Sequence, residues 1–281
     1  SPWDAQKSAA NPNSFTGKIL RVKPKADGGY SIPQGNLFPP GTSGTAPEIY
    51  VMGNRNPFRI SVDKKNGFLY WGEVGPDAGN ANENRGPAGF DEINQARKAG
   101  FFGWPYFIAD NKPYWHWDFI NKTNDWKHDP AIPVNKSPNN TGRKDLPAAQ
   151  PAFIYYANSA STRFPVVNGG GGRTAMAGPV YYYDANLKSE HKLPRQFDHT
   201  LFIYEWSRNW IIAVHLDENE NIARAADGSL RMERFCEHMT LKRPMDMELG
   251  PDGCLYVIEY GTAWSNNKDT QIVRLEYTGQ Q

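Results

Sequence analysis

The chain has 281 residues with 31 Lys+Arg against 30 Asp+Glu and no long basic run, which excludes the electrostatic footprint of a partner for nucleic acid or an anionic membrane face. No apolar stretch is long enough to span a bilayer, and the chain opens at Ser1 without a charged-then-apolar leader, so a soluble, already trimmed protein is expected. With 26 Gly, 22 Pro and 13% aromatic residues, the composition is rich in turns and poor in long helical patterns, which points to an all-β chain.

In chain order, "GKILRV" (17–22) reads as a strand and is followed by a Pro/Gly-punctuated loop. Two β-rich runs, near Phe58–Val62 and Phe68–Val74, flank the turn Asp63-Lys-Lys-Asn-Gly67. Only "GFDEINQARKAG" (89–100) has a helical flavour, which makes Asp91 and Glu92 candidates for a helix cap. Residues 108–151 are polar, Pro/Asn-rich and interrupted by aromatics, as expected of a long insertion between structural repeats. Strands are expected again at "AFIYYA" (152–157), "GPVYYYD" (178–184), "WIIAVHLD" (210–217) and "QIVRLEY" (271–277).

A repeat organises this list. Leu69–Glu73, Leu201–Glu205 and Leu255–Glu259 share Leu-aromatic-x-x-Glu, and two of the copies extend to Gly-x-Leu-Tyr-x-x-Glu-x-Gly. The last two copies lie one four-stranded propeller blade apart, so the expected architecture is an all-β propeller. We expect one partial ring of about four blades over 1–281, with 108–151 inserted between blades and the start of the ring upstream of Ser1. Glu73, Glu205 and Glu259 fall at equivalent strand ends, where a carboxylate is expected to accept backbone N–H groups. What separates the first copy is its ending, Gly75-Pro76, where the last has Gly261-Thr262.

Other residues carry weaker signals. Cys236 and Cys254 form either one bridge or two inert buried thiols. The sequons at Asn121, Asn135 and Asn139 mark an exposed loop. "PYWHWDF" (113–119) offers either aromatic faces for a sugar or a satellite cluster that pins the insertion, and His215 reads as an ordinary strand histidine.

Four pieces between residues 53 and 107, "GNRNPF", "GEVGP", "FDEIN" and "GFFGWP", occur in the order and at spacings that resemble the soluble quinoprotein glucose/sorbosone dehydrogenases. "NPNSFTGKILRV", "SPNNTG", "GGRTAMAGPVY" and "RPMDMELGPDGCLYVIEYG" extend the resemblance, to the multidomain bacterial branch, over nearly the whole chain. The resemblance implies a six-bladed β-propeller that holds pyrroloquinoline quinone (PQQ) and calcium and oxidises an aldose at its anomeric carbon to the lactone. It further implies a periplasmic or extracellular location, a small-molecule sugar as substrate and an electron acceptor such as a cytochrome.

Carried onto this chain, the resemblance implies catalytic roles for Arg55 and Asn56, whose permanent charge and amide donor suit a quinone oxygen that gains negative charge. It implies calcium ligation by the main-chain carbonyls of Gly75 and Pro76, with Glu92 serving a second, structural calcium. Arg243 matches an arginine that meets the carboxylates of the cofactor. A second such arginine is replaced by Met245, and a family lysine has no counterpart unless Arg208 takes its place. The family's general base is a histidine in a His-Asn-like motif that precedes everything in this sequence, and none of the six histidines stands in that context. The alternative expectation is a non-catalytic, calcium-stabilised propeller that binds glycan or protein. A calcium-dependent hydrolase is disfavoured, because no nucleophile or second acidic cluster presents itself.

Overall fold

A computed structural model describes residues 4–118, 120–169 and 171–279. Among them the regular structure is β, apart from the 3-10 turns Ala5–Lys7, Pro165–Val167 and Arg195–Phe197. Among the described residues no helix is long and apolar enough to cross a membrane. The chain divides into two compact units, the first comprising residues up to Pro57 and Glu73–Ala157, the second Phe58–Gly72 and the residues from Asn158 onward.

In the first unit, Ile49–Met52 is the middle of a three-stranded sheet, antiparallel to Lys18–Leu20 and parallel to Gly100–Phe101. Ile49, Met52, Phe101, Tyr106 and Phe107 from this region close over Ala10, Phe38 and Leu146 as one core. The segment before Lys18 is fastened by polar contacts. The Lys18 ammonium donates to the carbonyls of Ser8, Ala9 and Thr16, which uses all three of its protons.

The run expected to be helical is instead the strand Asp91–Ala96, antiparallel to Ile154–Tyr156 with Ile93 opposite Ile154. Its first four residues are buried whether polar or apolar, so the alternation that marks a half-exposed strand is missing. Glu92 and Asn94 bond to each other side by side at 3.0 Å, as i and i+2 do on one face of a strand. The helix-cap reading of Asp91 and Glu92 is therefore wrong.

The run 108–151, expected to be an insertion, is not structureless. It folds into two short antiparallel pairs, Phe107–Ile108 with Lys112–Pro113 and Trp115–Asp118 with Thr123–Lys127. His116 stacks on Trp126 at 4.7 Å, and His128 lies 4.6 Å from Trp126 and 4.0 Å from the core ring of Tyr106. The aromatic run thus pins the insertion to the core; Phe119, its last residue, lies outside the described residues. Two sequon asparagines also prove structural. Asn135 is fully buried and donates to the carbonyls of Gln6 and Ala10, and Asn139 donates to Asp4. Asn121 and Asn139 both sit on exposed turns, so of the three only Asn135 departs from the exposed-loop expectation.

In the second unit, Ala175–Tyr181, Thr200–Glu205, Trp210–His215 and Met232–Phe235 pair in that order as an antiparallel four-stranded sheet. Pro244–Leu249, Leu255–Glu259 and Gln271–Leu275 repeat the first three positions. In both, the Leu-aromatic-x-x-Glu strand is second, and the expected outer partner follows it. Phe202, Tyr204, Ile211, Met247, Leu255 and Val257 belong to one shared core. Gly72, in the first copy of the repeat, has no room for a side chain, since a Cβ there would stand 2.0 Å from the Ala175 carbonyl oxygen. His215 ends its strand bonded to Thr200 and Glu233, an ordinary strand histidine. Cys236 and Cys254 are free thiols and form no bridge; Cys254 is buried as the alternative expected, whereas Cys236 is only half-buried.

Candidate active site

The repeated carboxylates define where each strand pair opens. Glu259, 2% exposed, accepts the Lys242 backbone N–H at 2.8 Å on one oxygen and the Gln271 amide at 2.8 Å on the other. Glu205, fully buried, accepts the backbone N–H groups of Thr174 and Arg208, one on each oxygen. Glu73 accepts two N–H groups on one oxygen, from Arg55 at 2.5 Å and Asn56 at 2.7 Å. Every copy caps the residues that lead into the preceding strand, and each such lead carries an arginine: Arg55, Arg173 and Arg243. Capping satisfies buried donors that would otherwise cost about 1–3 kcal/mol each.

Glu73 differs in what its other oxygen does. It is 5% exposed, and its Oε2 is buried with no hydrogen-bond partner among the described residues. That carboxylate lines a recess in the first unit together with Gly53 and Arg55, Gly75 and Pro76, Phe90 and Glu92, and Phe102 and Trp104. These pairs come from the four motif pieces, so residues as far apart in sequence as Gly53 and Trp104 meet at one place. The turn is tightly built. A Cβ on Gly75 would lie 1.8 Å from the Phe90 carbonyl oxygen, and one on Gly89 would lie 1.7 Å from the Pro76 carbonyl oxygen.

The recess is short of positive charge. Burial pushes the Glu73 carboxyl up to about 8 despite its two N–H donors, with the charges of Glu92 and Asp91 adding to the effect. Burial likewise pushes Glu92 up to about 7, and Asp91 again adds. Glu92 spends its oxygens on the Ala109 N–H and the Asn94 amide, and Asp91 accepts the Gly75 N–H at 3.1 Å. Arg55 is exposed, its guanidinium donating to the Val74 carbonyl at 2.9 Å, and Asn56 is also exposed. Among the described residues, no three acidic, histidine or cysteine side chains form a ready-made metal cage. A cation here would rest on main-chain oxygens and the bare oxygen of Glu73, a donor set that suits a hard ion such as calcium.

Arg208 and Arg243 belong to the second unit. The Arg208 guanidinium donates to the carbonyls of Val167 and Gly172, both at 3.0 Å. Arg243 does not pair with Glu248. Its guanidinium lies over the rings of Trp206 and Trp264, at 4.7 and 5.5 Å, and donates to the Ala263 carbonyl. Asn209, next to Arg208, accepts the Arg243 backbone N–H at 2.8 Å and so ties the two arginine-bearing turns together. The Met245 side chain offers no charge, and its carbonyl accepts from Arg59.

Residues 3–139 match the family model described as "Glucose / Sorbosone dehydrogenase". This stretch is similar to the glucose/sorbosone dehydrogenases. All residues of the recess lie within it. The chain is 29% identical over 157 residues to quinoprotein glucose dehydrogenase B of Acinetobacter calcoaceticus, covering 52% of this chain and 29% of that protein. It is 30% identical over 129 residues to the HIPL2 protein of Arabidopsis thaliana, covering 40% of this chain and 17% of the relative. The chain thus spans under a third of the length of either curated relative. Among solved structures, a glucose dehydrogenase aligns with TM-score 0.53 at 20% identity, over 95% of this chain and 56% of its own. An oxidoreductase (glucose dehydrogenase) from Thermus thermophilus aligns with TM-score 0.52 at 18% identity, over 97% and 58%. These likenesses fix the fold as all-β, of the β-propeller type.

Sequence reasoning assigned Glu73 only its capping role and missed its second oxygen. A signal was present: of the three capping carboxylates, this one alone leads into Gly-Pro. Trp206 and Trp264 were also missed, because they come from separate turns and meet only in the fold.

Proposed function

We propose that the region similar to the glucose/sorbosone dehydrogenases belongs to a PQQ- and calcium-dependent oxidoreductase that oxidises an aldose at its anomeric carbon to the lactone. The observation that carries this reading is the recess, where four motif pieces place a bare, buried carboxylate oxygen beside the Gly75-Pro76 turn. In this reading the Gly75 and Pro76 carbonyls and Glu73 hold calcium, with Glu92 as a ligand or as the support of one. Arg55, which lines the recess, and the exposed Asn56 beside it in sequence, both fixed through their N–H groups by Glu73, donate to the oxygen on which negative charge builds. Arg243 and Arg208 meet the carboxylates of the cofactor. When bound, PQQ supplies the acceptor for the hydride from the sugar. The substrate is a small-molecule sugar, the final electron acceptor a carrier such as a cytochrome, and the location periplasmic or extracellular. Residues 108–151 form an inter-blade insertion of one propeller.

A second reading is favoured by one observation: no histidine lines the recess. His116, His128, His199 and His215 are each engaged with aromatic or acidic neighbours elsewhere. That arrangement suits a non-catalytic propeller that keeps calcium for stability. Reconstitution with calcium and PQQ separates the two. Aldose-dependent reduction of a dye supports the enzyme, whereas calcium binding without PQQ binding or turnover on a broad sugar panel supports the rival.

A further inference from the structure

Arg243 is held in an unusual way. Its backbone has φ +58°, a left-handed conformation that a non-glycine residue adopts only at a cost. The Asn209 side chain, accepting its N–H, helps hold it there. Two indoles, Trp206 and Trp264, lie against the guanidinium, and their centroids are 5.0 Å apart. Nη1 donates to the Ala263 carbonyl. No ion pair neutralises Arg243 among the described residues, and its Nε and Nη2 make no hydrogen bond there. A guanidinium flanked by rings and occupied on Nη1 has one side left, and the Nε–Nη2 edge is the fork that binds a carboxylate with two parallel bonds.

Trp264 is 74% exposed although its loop is firmly built. Asp269 accepts from the N–H and hydroxyl of Thr262, Asn267 accepts the Ala263 N–H at 2.6 Å, and Tyr260 donates its hydroxyl to the Trp264 carbonyl. Gly261 leaves room for these side chains, since a Cβ there would lie 2.7 Å from both Asn267 and Asp269. A large indole held out into solvent by an ordered loop, beside an arginine without a counter-ion, is a surface prepared for a flat ligand. Behind it, the Trp206 indole N–H is buried without a partner among the described residues.

We propose that Trp264 is a ligand-binding residue that stacks on the ring of a carboxylate-bearing planar molecule, and that Trp206 is a positioning residue that keeps the Arg243 fork turned toward that carboxylate. On the function proposed above, on which this inference rests, the ligand is the quinone cofactor. A neutral aldose offers no carboxylate to the fork and no flat π-face to the indole.

The test is a titration of the full chain with PQQ in excess calcium, read by quenching of tryptophan fluorescence and by equilibrium dialysis. Wild type is expected to bind saturably, W264A about tenfold more weakly and W264F within about threefold, with the melting temperature of W264A unchanged. PQQ trimethyl ester, whose carboxylates are blocked, is expected to bind wild type and R243Q equally weakly, whereas free PQQ distinguishes them. Failure of wild type to bind PQQ overturns the proposed function. Tight binding by wild type with unchanged affinity in W264A overturns this inference alone, as does an ester that binds as tightly as the acid.

Discussion

Glu73 and Glu259 occupy the same place in the same repeat, yet their surroundings differ. Glu73 takes the backbone N–H groups of Arg55 and Asn56, and Glu259 that of Lys242, each from the residues leading into the preceding strand. Glu259 also satisfies its second oxygen, with Gln271, while Glu73 leaves its own bare next to Gly75 and Pro76. A buried carboxylate oxygen without a donor is costly, so the difference marks where the recurring scaffold has been adapted to hold something. The same comparison separates architecture from chemistry: the repeat builds the sheet, and the turn after its first copy is where the proposed cation site lies.

The sharpest way to break this comparison is to make the first copy resemble the last. Gly72 stands where Ile258 stands in the third copy, but its missing side chain admits the Ala175 carbonyl. Gly72→Ile is expected to destabilise the protein by at least ~4 kcal/mol or to prevent folding, read by denaturant unfolding. Ile258→Gly, at a site 39% exposed, is expected to cost only about 1 kcal/mol.

Next in size is the loss of a cap that carries no second role. Glu205→Ala strands the N–H groups of Thr174 and Arg208 in a buried setting and is expected to cost about 3 kcal/mol, with calcium leaving that loss unchanged. Glu73→Gln is expected to behave in the opposite way. Burial already pushes the Glu73 carboxyl up to about 8, so near neutral pH the amide replaces a mostly uncharged group and its oxygen can keep the Arg55 and Asn56 N–H bonds; stability without calcium should change by less than about 1 kcal/mol in chemical denaturation.

A smaller effect tests whether a bare buried polar atom always signals a ligand. His128, 6% exposed, also has an unpartnered nitrogen, Nδ1, but it sits in an aromatic nest. Burial, with the charges of His116 and Lys136 adding, pushes its imidazole down to about 3. The unfolded chain takes up this proton near pH 6.5 and the folded one does not, so the contribution is complete above pH 6.5 and is lost as pH falls toward 3. Stability should drop by at most about 1.4 kcal/mol per pH unit in that window from this group. His128→Phe should flatten the slope, measured by melting between pH 7 and 4, and calcium should not alter it.

How far the sequence reached follows from what each feature depends on. Leu-aromatic-x-x-Glu was legible because a repeated sheet unit needs the same strand and the same capping acid each time. The convergence of Arg55, Glu73, Gly75 and Glu92 was legible through the ordered motifs, not through any spacing rule. Asp91–Ala96 was misread because a strand buried on both faces loses its alternation, and its polar residues are satisfied by Gly75, Asn94 and Ala109, far apart in sequence. Asn135 looked like a surface sequon because nothing local shows that Gln6 and Ala10 claim its amide. The Arg243 cage was hidden for the same reason: Trp206 and Trp264 approach it from turns 58 residues apart in sequence.

The most direct test is a calorimetric calcium titration of the wild-type chain beside Glu73→Gln. If the bare oxygen of Glu73 and the Gly75-Pro76 turn form a cation site, wild type binds calcium saturably and the variant loses at least tenfold in affinity while remaining folded. Equal calcium affinity in the two proteins would contradict the account.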